Sequence, residues 1–101
     1  MYAVYFLKSE RNGKIYVGMT GKDPMVRLTE HNMGSNEWTR TNSPFRLLYF
    51  EEYICKEDAL KREKFYKSGF GRKLRDAILG CVDQFPPGAD LPLAGVRATD
   101  S

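Results

Sequence analysis

Tyr2-Ala-Val-Tyr-Phe-Leu7 and Lys14-Ile-Tyr-Val-Gly-Met19, separated by Lys8-Ser-Glu-Arg-Asn-Gly13, decide the reading of this chain. Both runs are rich in β-branched and aromatic residues, and the polar insert ends in Asn-Gly, so the segment reads as a β-hairpin. If Lys8 and Gly13 close the loop, Tyr5 faces Tyr16 across the ladder and Leu7 faces Lys14, because side chains alternate along each strand. A slip of one residue turns one phenol to the other face. Gly18 follows Tyr16 by two positions on the same face, where a missing side chain leaves room for a ligand or another backbone.

Downstream of the hairpin, Asp23-Pro24 is a helix start and Gly34 the matching stop, with Asp capping the free amides and Pro tolerated at the first helical position. Met25, Val26, Thr29 and Met33 recur at helical spacing and are expected to face the core, leaving Arg27, Glu30 and His31 on the outer side. Residues 35 to 44 are polar and aperiodic and read as a loop carrying Trp38 and Arg40. Phe45 to Ile54 reads as a third strand, with Glu51 and Glu52 marking its edge.

Lys56 to about Ser68 reads as a second long helix, with Ala59, Leu60 and Tyr66 forming its apolar stripe. Glu63 falls on that stripe in azimuth. A carboxylate there calls for a salt bridge, for which Arg27 is a candidate, or a divalent cation. Gly69-Phe-Gly71 interrupts, and Arg72 to Leu79 reads as a shorter helix ending at Gly80. The fold class is therefore α+β, a three-stranded antiparallel sheet flanked by about three helices. Residues 1–83 are expected as one domain and 84–101 as a tail, disordered or docked only through Leu91, Leu93 and Val96.

At 101 residues, 42% of them apolar and 13% aromatic, the chain has room for one modest core. The formal charge of +3 is small, yet residues 56 to 75 hold eight Lys/Arg against three carboxylates. That cluster suits a polyanionic partner, although a solvated helix face reads the same way. Two cysteines, no Cys-x-x-Cys and a single histidine exclude a zinc site and fit a reducing compartment. With no leader-like or membrane-spanning apolar run, a cytoplasmic protein is expected.

Ala3-Val-Tyr5 and Tyr16-Val-Gly18, with the helix carrying Arg27 and then Ala59-Leu-Lys-Arg-Glu63-Lys-Phe-Tyr-Lys67, resemble the GIY-YIG nucleases. The likeness runs from residue 2 to about 79 and is closest to the small stand-alone bacterial members. It departs in having Ala3 and Val4 in the first motif. No asparagine follows Asn42 either, where many relatives carry one in the closing helix.

The resemblance implies an endonuclease that hydrolyses phosphodiester bonds in DNA, with DNA repair or recombination as the process served. By it, Tyr16 is the general base or orients the water, Tyr5 assists, Arg27 steadies the phosphate and Glu63 is the one protein ligand of a magnesium or manganese ion. His31 and Lys67 would contact phosphate, and Lys14, Gly18 and Arg40 would complete the nucleic-acid surface. The chemistry is self-consistent: water must lose a proton, phosphorus must carry extra negative charge, and an alkoxide must leave. A phenol near pKa 10 needs a nearby cation to act as a base, and Lys14, His31 or metal-bound water could supply one. The alternative is a non-catalytic nucleic-acid-binding or protein-interaction module on the same scaffold.

Overall fold

The computed structural model describes residues 1–34 and 36–82, together with the backbone of Val96 and Arg97. The hairpin forms from β1 (Tyr2–Ser9) and β2 (Ile15–Thr20). Its closing pair lies one residue further along each strand than expected: Ser9 N donates to Lys14 O at 2.8 Å and Gly13 N to Ser9 O at 2.9 Å. Gly13 takes φ +76°, which glycine adopts without steric cost. Tyr5 consequently pairs with Gly18, and Leu7 with Tyr16. The register differs by two residues from the expected one, and a shift of two preserves the face.

β3 (Phe45–Tyr53) runs antiparallel to β1 on its other side, which makes β1 the central strand. The three antiparallel strands are those expected. A two-residue β4 (Val96–Arg97) adds to β3 in parallel, giving the order β2-β1-β3-β4. The remainder of the expected tail lies outside the described residues.

Helices cover both faces, so β1 is an unbroken buried run from Ala3 to Leu7 and not an alternating one. On one face, Val4, Phe6, Val17, Leu48, Tyr49 and Tyr53 pack with Ala59 and Tyr66 of α3 (Lys56–Lys67) and Val82 of α4 (Gly69–Val82). On the other, Tyr5, Leu7 and Phe45 pack with Tyr16, Leu47 and Phe50 of the sheet and with Leu28 of α1 (Pro24–Asn32).

Four elements differ from expectation. α1 begins as read, with the Asp23 carboxylate accepting from Met25 N at 2.8 Å, but it is turned the other way. Met25, Val26 and Met33 are exposed, whereas His31 is fully buried. The expected loop contains α2 (Glu37–Asn42), started by a capping box in which Asn36 and Thr39 bond reciprocally. Asn42 is buried and fastens α2 to the hairpin turn, its O accepting from Ser9 Oγ and its Oδ1 from Asn12 Nδ2.

α4 begins at Gly69 instead of Arg72, and Gly80 lies inside it instead of stopping it. The joint is Ser68, whose hydroxyl donates to Phe65 O at 2.6 Å and accepts from Gly71 N at 3.1 Å. Gly71 passes so close to the Phe65 carbonyl that no side chain fits there.

Glu51 is the fourth. Expected as an edge charge, it is only 3% exposed. Its Oε2 accepts from the hydroxyls of Tyr49 (2.8 Å) and Tyr66, and its Oε1 from Tyr53 (2.6 Å) and from Arg62 Nε (3.1 Å). A buried carboxylate is tolerable when its lone pairs are all engaged, and here four donors engage them. Arg62 lies over the rings of Phe65 and Tyr66, 5.1 and 4.6 Å from their centroids. The hub thus clamps α3, the helix that carries Glu63, onto β3.

Candidate functional site

The two motif tyrosines meet on the α1 face of the sheet as diagonal cross-strand neighbours, with ring centroids 6.2 Å apart. Gly18, directly opposite Tyr5, makes this possible. A Cβ on Gly18 would stand 2.5 Å from the Tyr5 hydroxyl and 2.9 Å from Tyr16 Cε1. The gap expected for a ligand is therefore filled by the phenol rings, and the glycine serves the tyrosines.

α1 brings the next two groups. Because the helix faces inward with Leu28 and His31, the imidazole lies 4.7 Å from the Tyr16 ring and 5.8 Å from the Tyr5 ring, centroid to centroid. The Tyr5 hydroxyl and His31 Nε2 are hydrogen-bonded at 2.8 Å. Burial, reinforced by the positive charge of Arg27, depresses the His31 pKa to about 4. The imidazole is thus neutral at physiological pH and has no exposed surface. It is a buried partner of the phenols, not the outward cation expected.

Burial chiefly, then the neighbouring Tyr16, pushes the Tyr5 phenol well above the usual tyrosine range. Arg27 opposes that rise, and the charge of Glu63 adds to it. Tyr5 therefore keeps its proton.

Arg27 is not the partner of Glu63. Its Nη1 donates to Glu30 Oε1 at 2.8 Å, while Lys22 takes the other Glu30 oxygen at 2.7 Å. Glu63, its side chain 23% exposed, accepts from Lys67 Nζ at 3.1 Å. Leu60, expected in the core, is exposed, and the apolar side of α3 narrows to Ala59 and Tyr66. Beside Glu63, a surface cavity of about 450 Å³ is lined by Leu60, Lys61, Lys64 and Lys67. Lys14 is exposed in the turn before β2, its N donating to Asn12 Oδ1. Arg40 lies on α2 with its stem passing over Gly34.

The structure adds Trp38 to this neighbourhood, tilted against Tyr16 with ring centroids 5.4 Å apart and stacked on Phe45 at 5.6 Å. The Asn36/Thr39 pair was the signal available in the sequence, but it uses Thr where the capping box usually has Glu or Gln.

Residues 1–75 match the family described as the GIY-YIG catalytic domain. The chain belongs to this family. GIY-YIG domains are generally nucleases, and a DNA substrate is the family's usual context. A UPF0213 protein of Streptococcus agalactiae is 35% identical over 74 residues, which is 72% of this chain and 78% of that protein. One of Listeria monocytogenes is 34% identical over 76 residues, 74% of this chain and 81% of that protein. The solution NMR structure of a UPF0213 protein from Bacillus halodurans superposes with a TM-score of 0.50 at 26% identity, covering 89% of this chain and all of that one. In this GIY-YIG chain, no helix among the described residues is long and apolar enough to cross a membrane. No group of three or more His, Cys, Asp or Glu gathers there to hold a metal.

Proposed function

We propose that this chain is a divalent-metal-dependent endonuclease that hydrolyses phosphodiester bonds in DNA, serving DNA repair or recombination. The observation that carries the reading is the junction of Tyr5, Tyr16 and His31 on the sheet face covered by α1, the helix that also carries Arg27.

Tyr16, partly exposed where Tyr5 is buried, is the phenol that orients the attacking water or takes its proton. Tyr5 stays protonated and holds His31, and His31 packs against the Tyr16 ring and fixes its place. Arg27 presents a planar fork suited to phosphate oxygens. Its pairing with Glu30 is a surface ion pair, weak enough for a phosphate to displace.

Glu63 would hold one magnesium or manganese ion. The residues fit that group: a partly exposed carboxylate shares one oxygen with a solvent-exposed lysine, and a magnesium ion accepts a single carboxylate with waters and phosphate oxygens filling its other positions. Held there, the ion would neutralise phosphate charge and act as a Lewis acid.

The test is nicking of supercoiled plasmid with magnesium, manganese or chelator, comparing wild type with Glu63→Gln and Arg27→Ala at matched folded content. Nicking with either metal, lost in chelator and in both variants, supports the reading. Nicking that survives Glu63→Gln excludes the single-metal scheme. The two internal ion pairs, Arg27 with Glu30 and Glu63 with Lys67, favour a second reading as a non-catalytic nucleic-acid-binding module. Binding without cutting under any metal selects it.

A further inference from the structure

Trp38 is the single tryptophan of the chain, and its surroundings are unusual for a residue on a six-residue surface helix. Both ring partners, Tyr16 and Phe45, come from the sheet beneath it. More than a third of the residue, 38%, remains exposed. α2 is capped by Asn36 and Thr39 and tied through Asn42 to the hairpin turn. The indole thus rests on two rings of the sheet and keeps part of its surface in solvent. It also lies against the Tyr16 ring, so anything stacked on it sits beside that tyrosine.

The geometry points to Trp38 as a stacking platform for an unpaired nucleobase, so that the substrate is DNA with a single-stranded segment at the cleavage point. Every base has a π-face, and one stacked on a fixed indole is held without regard to its identity. A paired base inside an intact duplex, stacked on both sides, cannot offer that face. The platform rests on the nuclease reading for its consequence, since a base held at Trp38 delivers the adjoining phosphate toward Tyr16 and Arg27. The stacking itself needs no cleavage.

The experiment is therefore done in chelator, with tryptophan emission as reporter. Wild-type protein is titrated with a short oligo(dT) strand and with a blunt duplex of equal length. Affinities of wild type, Trp38→Phe and Trp38→Ala for labelled versions of both DNAs are measured in parallel over a range of salt. The expected results are saturable quenching by the single strand but not by the duplex, and a loss of about 10-fold in single-strand affinity for Trp38→Ala. Trp38→Phe should recover part of that loss, and the salt dependence should not change, because the indole meets no phosphate.

Single-strand binding that leaves tryptophan emission unchanged would overturn the platform. So would an equal loss of duplex and single-strand affinity in Trp38→Ala. If Trp38→Ala does not fold, the wild-type emission titration decides alone. Quenching without plasmid nicking refutes the nuclease and keeps the platform, and nicking with silent emission does the reverse.

Discussion

The Tyr5 hydroxyl and His31 Nε2 lie 2.8 Å apart with neither residue more than 1% exposed, so one buried hydrogen bond joins the central strand to α1. Tyr5→Phe deprives His31 of this partner at no gain in packing, and a lost buried hydrogen bond costs about 1–3 kcal/mol. Urea denaturation of the variant should show a loss in that range with an unchanged m-value. A loss too small to resolve would mean that this hydrogen bond does not hold α1.

The same histidine predicts a pH dependence. Its pKa is about 4 in the folded chain against about 6.5 unfolded, so between these values the unfolded state binds the proton and the folded state does not. The contribution is complete above pH about 6.5 and is lost as pH falls toward about 4, amounting to about 3 kcal/mol for a difference of that size. Stability measured by urea at a series of pH values should rise across this window in wild type and rise less in His31→Gln. Parallel curves would contradict the buried neutral imidazole.

Glu51 was the residue least expected at its place, and it shows where the sequence was legible. The strands followed from β-branched and aromatic runs, and period-two alternation kept Tyr5 and Tyr16 on one face even though the register moved by two. That same alternation puts Glu51 between Tyr49 and Tyr53 on a buried face, a signal that its charge obscured. The face of α1 was misread because apolarity favoured Met25, Val26 and Met33, whereas the buried side is set by Leu28 and by a histidine whose polarity Tyr5 satisfies. α2 is too short to show a period at all. Glu63 was legible as a residue out of place, but its partner was not, since Lys67 lies one turn away and Arg27 is taken by Glu30.

Removing the Glu51 carboxylate leaves three hydroxyls and a guanidinium without their acceptor. Glu51→Ala is expected to cost about 3–5 kcal/mol, the range for breaking a buried charged network. Glu51→Gln keeps an acceptor oxygen and the side-chain shape, and should cost less. Denaturant midpoints of the two variants check this order, and a Glu51→Ala protein as stable as wild type would show that the hub does not clamp α3.

Gly18→Ala places a methyl group against both phenols. Overpacking of this kind costs about 1–3 kcal/mol, and relief can come only by moving Tyr5 or Tyr16. Nicking should therefore fall further than the folded fraction does, which paired activity and circular-dichroism melts would reveal. A fall in activity no larger than the loss of folded protein would contradict the close packing.

Glu30→Gln releases Arg27 from its internal partner and removes a negative charge beside the site. The variant should bind DNA more tightly than wild type at low salt, with the advantage shrinking as salt rises. Anisotropy titrations measure it, and unchanged affinity would remove Arg27 from the phosphate path.

The central claim is that the phenol of Tyr16 takes part in the chemistry. It is tested most directly by the single-turnover cleavage rate of Tyr16→Phe in magnesium, at a folded content matched to wild type. The account predicts a rate at least about 100-fold lower, the range for losing a positioned proton-transfer group. A Tyr16→Phe protein that cuts at the wild-type rate would contradict it.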